Sequence, residues 1–209
     1  MQLTSVNIAQ LAKVGEFKTG IMKIPQQGSC HVSKSGVDGD HIHHKSDHGG
    51  SDQAIYCYGG DDYAWWQSEL GYELNPGTFG ENLTIQGLSC KTVHIGDQLT
   101  IGDVVLEATA PRIPCAILGA KMEDPRFPVA FRRAERPGFY CRVLKEGQLE
   151  KGMPVIYASN DQDQKLQLLD LFRLAYDPNP VRETLEKTLH FPIAIRERNR
   201  IEKLIHSMA

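Results

Sequence analysis

From its start to about residue 158 the chain is a succession of short β-prone runs cut by glycine turns. That spacing restricts the fold to a barrel or closed sheet. SVNIAQLAK (5–13) alternates like a strand, and AIYCY (54–58) follows a glycine-rich stretch. VHIGDQLTIGDVVLEAT (93–109) reads as short strands joined by two tight Gly-Asp connections, at 96–97 and 102–103. Glycine at the first position of a two-residue loop is what a II′ hairpin turn requires. GFYCRVLKEGQLEKGMPVIYA (138–158) predicts a further hairpin with Glu146-Gly147 at its turn. Two helices interrupt the strands. DDYAWWQSEL (61–70) has Asp61 as cap and Gly71 as stop, and PRFPVAFRRAE (125–135) starts on prolines and ends before Pro137-Gly138. Trp65 and Trp66 cannot share one helix face, so one is expected in the core and the other over a groove or a neighbour.

After residue 159 the period changes. Residues 160–180, 181–191 and 192–209 read as three amphipathic helices separated by proline, with Leu166, Leu168, Leu169 and Phe172 on one stripe and Ile195, Ile201, Leu204 and Ile205 on another. The expected fold class is therefore mostly β with some α: a β-barrel domain over residues 1–159 and a C-terminal three-helix domain over 160–209.

Apolar residues make up 41% of the 209, enough for a substantial core, and the net charge of −3 gives no electrostatic case for nucleic acid or an anionic membrane. The N-terminus lacks the pattern of a secretory signal, and no apolar run approaches the ~18–20 residues of a membrane span. A cytoplasmic location is expected. The five cysteines contain no C-x-x-C pair, so buried thiols rather than disulfides are expected for Cys30, Cys57, Cys90 and Cys141.

Cys115 stands apart, in PRIPCAIL (111–118). Pro111 and Pro114 fix their own φ and push the residues before them out of the helical region, so stiff extended backbone delivers this thiol to a defined place. Arg112, three residues away and always charged, favours the thiolate where the two side chains approach. A thiolate serves as nucleophile or soft-metal ligand; a buried thiol in a rigid turn is the plainer reading.

Two other stretches carry candidate chemistry. GVDGDHIHHKSDHGGSDQAIYCY (36–58) gathers His41, His43, His44 and His48 with aspartates and glycines, and Gly49-Gly50 suits an anion-binding concavity. His44 and His48 are four apart, but no glutamate lies between them as in H-E-x-x-H, and the glycines oppose a helix, so zinc is weakly signalled. In GTFGENLTIQGL (77–88), Glu81 and Asn82 stand at a strand entrance, where they either orient a ligand or cap their own turn.

Together these pieces resemble the MOSC family, the molybdenum cofactor sulfurase C-terminal domain. The matching pieces come in order: KTGIMKIP (18–25), GVDGD (36–40), DHGGSDQAIYCY (47–58), FGENL (79–83), IGDQLTIGDVVLEATAPRIPC (95–115) and RPGFYCRVLKEGQLEKG (136–152). The helical tail is similar to that of bacterial stand-alone members. The resemblance implies a MOSC-type β-barrel with a cleft for molybdenum cofactor, in which molybdopterin holds the metal. It makes Cys115 the protein ligand to molybdenum and the catalytic residue. It also implies reduction of N-hydroxylated compounds, hydroxylamino bases and amidoximes, by oxygen-atom abstraction. Arg112 and the Gly49 and Gly50 amides are then expected to hold the anionic cofactor, and His48, Asp52, Glu81 and Asn82 to hydrogen-bond cofactor or substrate. Since no flavin or iron–sulfur motif is evident, electrons are expected from a flavin or iron–sulfur partner protein. The tail is expected to cover the barrel, make a homodimer contact or dock that donor.

The family often has HGGPD followed by a basic residue, where this chain has His48-Gly49-Gly50-Ser51-Asp52-Gln53. The change relaxes the turn and leaves position 53 without its family role. The competing expectation is a non-catalytic carrier of the cofactor, or of persulfide sulfur on Cys115. A zinc hydrolase on the histidine-rich loop stands behind both.

Overall fold

A computed structural model of the chain describes residues 1–41, 50–161 and 163–208. Six short strands come first: β1 (Gln2–Ile8), β2 (Ala12–Val14), β3 (Phe17–Thr19), β4 (Ile24–Pro25), β5 (Cys30–Ser33) and β6 (Gly36–Val37). They are followed by β7 (Ile55–Gly59), helix α1 (Gly60–Leu70), β8 (Leu83–Gln86), β9 (Gln98–Ile101) and β10 (Val104–Pro111). Helices α2 (Ala116–Lys121) and α3 (Phe127–Ala134) precede β11 (Phe139–Lys145), β12 (Gly147–Leu149) and β13 (Ile156–Ala158). The tail forms α4 (Leu168–Leu174), α5 (Arg182–Thr188) and α6 (Ile195–Ser207). The architecture is mixed α and β around one large sheet.

That sheet has eight strands in the order β13-β9-β10-β11-β7-β8-β1-β4, and β7 runs parallel to β8. The expected closed barrel is corrected, because the ladder ends at β13 on one side and β4 on the other. One edge of β1 is taken by β8, and the other pairs with β4 only at Asn7 and Ile8. Its remaining edge meets the chain ahead of β13 in one isolated bridge, Gln2 with Pro154, flanked by Leu3 N–H to Met153 O at 2.9 Å and Gly152 N–H to Leu3 O at 2.7 Å. Pro154 has no N–H to extend this contact into a ladder.

The β9–β10 hairpin turns at Gly102-Asp103 as expected. Gly102 has φ +58° while Asp103 does not enter the positive region, the II′ pattern. The other two expected turns differ. No strand precedes Gly96-Asp97; instead the Asp97 carboxylate accepts from His94 N–H at 2.7 Å and Asn160 N–H at 2.9 Å, fastening the start of the tail to this turn. At Glu146-Gly147 no hairpin forms: β10 takes one edge of β11 as far as Lys145, β7 takes the other only at residues 139–141, and β12 leaves to pair with β5.

Helix α1 begins at Gly60 and ends at left-handed Gly71. It buries Trp66, which is 2% exposed, and leaves Trp65 as the cover under the Arg136 guanidinium, 4.7 Å from its ring centre. The main apolar cluster combines inward residues of the sheet with Leu168, Leu171, Leu174, Leu185, Ile193 and Ile201 of the tail. Full burial of each such side chain contributes roughly 1.5–3 kcal/mol, so the tail helices are held mainly by this contact. Ile195, placed by its spacing on the apolar stripe, is instead exposed. A second cluster, mostly aromatic, joins α1 and α3: Trp66 stacks on Phe131 at 5.8 Å, and Tyr58 stacks on Phe79 at 4.5 Å. No helix among the described residues is long and apolar enough to cross a membrane.

Candidate functional site

Strand β10 ends at Pro111, and the extended backbone expected of PRIPC carries the chain over the aromatic cluster. Cys115 follows at φ −129°, ψ 170°, as the residue before α2, and its carbonyl accepts from Leu118 N–H at 3.0 Å. The thiol is half-buried and lines a cleft. Across that cleft stand Arg112, Lys23, Gln53, Asn82, Tyr56 and Tyr140, and no Asp or Glu belongs to the described lining.

Arg112 is 4% exposed. Its guanidinium lies 5.5 Å from the centre of the Tyr56 ring and 6.0 Å from that of Phe131, and its Nη1 has no hydrogen-bond partner among the described residues. Burial pulls its pKa down, but Tyr56, Tyr140 and Cys115, groups able to carry negative charge, outweigh that and leave it raised. The side chain therefore stays charged. Gln53 is 4% exposed, and its Nε2 is a second buried donor without a partner among the described residues.

Two lysines brace the site: Lys23 lines the cleft, and the half-buried Lys121 lies outside its lining. Lys23 is paired with the Asp40 carboxylate, and burial, more than that pairing offsets, lowers its pKa. Asp40 also accepts from Asn82 Nδ2 at 2.8 Å and from Ala9 N–H at 2.8 Å, so one carboxylate joins β1, the Lys23 segment and β8. Lys121, at the end of α2, donates to Ile21 O at 2.9 Å and Gly77 O at 2.6 Å; burial lowers its pKa to about 8, with Arg112 and Lys23 adding to the fall and Glu81 opposing it. This clamp ties the helix after Cys115 to two wall segments. The walls approach so closely at Gly80, φ +80°, that a Cβ there would meet Ile21 Cγ1 at 2.8 Å.

The residues named from sequence separate into two sets. Cys115, Arg112 and Asn82 line the cleft together. Asn82 is also a stitch, its Oδ1 accepting from Tyr56 N–H at 3.1 Å. Glu81 is fully buried outside the lining, its carboxylate accepting from Tyr63 OH at 2.6 Å, Gly77 N–H at 2.7 Å, Thr84 Oγ1 at 2.8 Å and Phe79 N–H at 3.2 Å. Asp52 faces the tail, pairing with Arg142 at 3.2 Å and accepting from Ile195 N–H at 3.0 Å. Gly50 has φ +93° and caps the short turn that carries Asp52 and Gln53. His48 and Gly49, with His43 and His44, lie outside the described residues, among which no group of three His, Cys, Asp or Glu side chains could hold a metal ion. Lys23, Asp40, Gln53, Tyr56 and Tyr140 were missed as site residues. Lys23 and Asp40 sit in the family-like stretches KTGIMKIP and GVDGD, which were the available signal.

Sheet, cleft and thiol define a MOSC-type protein. The MOSC domain pattern matches residues 44–156, more than half of the chain, and the chain belongs to that family. It is 34% identical over 137 residues to the uncharacterized protein YflK of Bacillus subtilis, covering 66% of this chain and 62% of that protein. It is 36% identical over 156 residues to a protein named Reductase from Gibberella moniliformis, covering 73% of this chain and 28% of that protein. The chain thus spans less than two thirds of either curated relative. The crystal structure of YiiM from Geobacillus stearothermophilus matches with a TM-score of 0.80 at 25% identity, covering 98% of both chains.

Proposed function

We propose that this chain binds molybdenum cofactor through Cys115 and reduces N-hydroxylated compounds with electrons from a flavin or iron–sulfur partner protein. The MOSC family is associated with molybdenum cofactor in general. The observation that carries the reading is the buried, charged Arg112 with an unbonded Nη1 beside a half-buried thiol. An anion in the cleft would give the buried Nη1 the hydrogen-bond partner it lacks. A donor wall without carboxylates and with one thiol fits an anionic group that carries a soft metal.

When bound, the cofactor supplies two-electron redox chemistry at its metal. The chain's part is placement. Cys115 Sγ would be the ligand, and Arg112 Nη1 and Gln53 Nε2 would donate hydrogen bonds to the cofactor. Tyr56, Tyr140 and Ile117 give the cleft apolar surface that excludes water. Lys23 and His41 both line the cleft, and in this reading they would hand protons to substrate. The overall change, R–NHOH with two electrons and two protons to R–NH2 and water, needs such donors. The relative named Reductase supports this class of chemistry.

The test is elemental analysis and pterin determination on wild type and Cys115→Ala, both purified from a host that makes molybdenum cofactor. Molybdenum near one per chain, lost in the variant together with hydroxylamine reduction, is expected. A fully active variant would sink the assignment. The half-exposed thiol also suits a persulfide carrier; that reading predicts an added mass of one sulfur atom on Cys115 and no molybdenum.

A further inference from the structure

Helix α6 has no capping side chain of its own: Ala194 stands at its N-cap position. The first helical N–H, that of Ile195, is bonded instead to Asp52 Oδ2 at 3.0 Å, from a residue 143 positions earlier. Asp52 is held at two further points. Its Oδ1 pairs with Arg142 of β11 at 3.2 Å, and its carbonyl accepts from Thr109 Oγ1 of β10 at 2.5 Å. Thr109 O in turn accepts from Ala194 N–H at 3.0 Å, so the start of α6 and the Gly50–Gln53 turn are bolted to the same point of β10. The next residue along that turn is Gln53, whose amide reaches the cleft and whose N–H closes the turn on Gly50 O at 3.0 Å. Arg112 follows Thr109 by three residues on the same strand and its extension.

We infer that Asp52 is a positioning residue, through which the N-terminus of the last helix holds the Gly50–Gln53 turn and sets Gln53 as a donor in the cleft. The carboxylate stabilises the positive end of the helix, and the helix returns a fixed anchor to the turn that begins at Gly50, φ +93°. The tail is thereby part of the site's scaffold. That a loosened turn would weaken cofactor retention rests on the function proposed above; the mechanical link does not.

Ile195→Pro isolates the link. Proline is well tolerated at the first position of a helix, and Ala194, at φ −59° and ψ 144°, already has the conformation that precedes proline. The substitution removes only the N–H that Asp52 accepts, at an exposed side chain. Far-UV circular dichroism is expected to be unchanged, while hydrogen exchange at the Gln53 amide becomes faster by about tenfold, the loss of one charge-assisted hydrogen bond. Arg173→Ala serves as control, since it breaks a different tail anchor, the Arg173–Glu135 pair. Unchanged exchange at Gln53 in Ile195→Pro, or an equal rise in Arg173→Ala, would overturn the inference. In protein from a cofactor-making host, pterin content is expected to fall severalfold in Ile195→Pro; equal content in variant and wild type would overturn the role in retention. Should wild type carry no cofactor, the function proposed above fails, while the exchange result still decides the mechanical link.

Discussion

The Arg112 guanidinium lies 5.5 Å from the centre of the Tyr56 ring, and Tyr56 is anchored by donating its hydroxyl to Pro137 O at 2.7 Å. Burial, partly offset by Arg112, pushes the Tyr56 pKa well up, so the ring remains a neutral partner for the cation. The charge therefore rests on a quadrupole and leaves Nη1 for a ligand.

Arg112→Met keeps the bulk and removes the charge. Replacing buried charged groups with apolar side chains of similar volume is often neutral or stabilising. The cofactor-free variant is thus expected to melt no lower than wild type by calorimetry, while cofactor retention drops at least about tenfold, as for the loss of one charge-assisted bond. A melting point lowered by roughly 10 °C or more, several kcal/mol for a chain of this size, would make Arg112 a structural residue instead.

Glu81→Gln should behave in the opposite way. Four donors converge on the buried carboxylate, and a glutamine amide offers one acceptor oxygen and sets its own N–H groups against the remaining donors. Stability is expected to fall by about 2–4 kcal/mol in urea unfolding, with any cofactor loss secondary to that. Unaltered stability combined with lost cofactor would return Glu81 to the set of ligand residues.

These two residues illustrate what was legible in the sequence. Prolines and a nearby arginine are local features, so Cys115 and Arg112 could be read as one unit, and the structure keeps them in one cleft. For Glu81 and Asp52 the sequence displays a carboxylate but not its donors. Those of Glu81 arrive from Tyr63, Gly77, Phe79 and Thr84, and one of those of Asp52 from Ile195. Most helices were placed within a few residues, since amphipathic spacing reports burial directly, but the first tail segment, read over 160–180, is helical only at Leu168–Leu174. Sheet closure was not legible, because strand spacing does not say which edges are already taken. The Glu146-Gly147 turn signal likewise did not say that β12 would leave β11 and pair with β5.

Lys121 imposes a pH dependence on stability. Burial lowers its pKa from 10.5 to about 8 in the folded chain, so between these values the unfolded chain binds the proton and the folded chain does not. Stability from this group therefore rises with pH over that window, and the cost of the buried charge is felt fully below it. Against Lys121→Met, wild type is expected to gain on the order of 2 kcal/mol between pH 7 and pH 10. Urea unfolding of both proteins at the two pH values measures it; a constant difference would mean that the lysine keeps an ordinary pKa.

Alkylation separates the cysteines by exposure and, in loaded protein, by ligation. Cys57, Cys90 and Cys141 are buried and should resist iodoacetamide under native conditions, while Cys30 and Cys115 are half-buried. Burial raises the Cys30 pKa, which reduces its thiolate fraction and slows its labelling. Cys30 lies on β5, belongs to a separate three-stranded sheet and is absent from the cleft lining, so it serves as an internal reference. Loading with cofactor should suppress labelling of Cys115 and leave the Cys30 rate unchanged, as read by peptide mass spectrometry. Equal protection of both would point to general tightening of the fold. Labelling of Cys115 at the same rate in loaded protein would show a free thiol, and the metal would then be held without it.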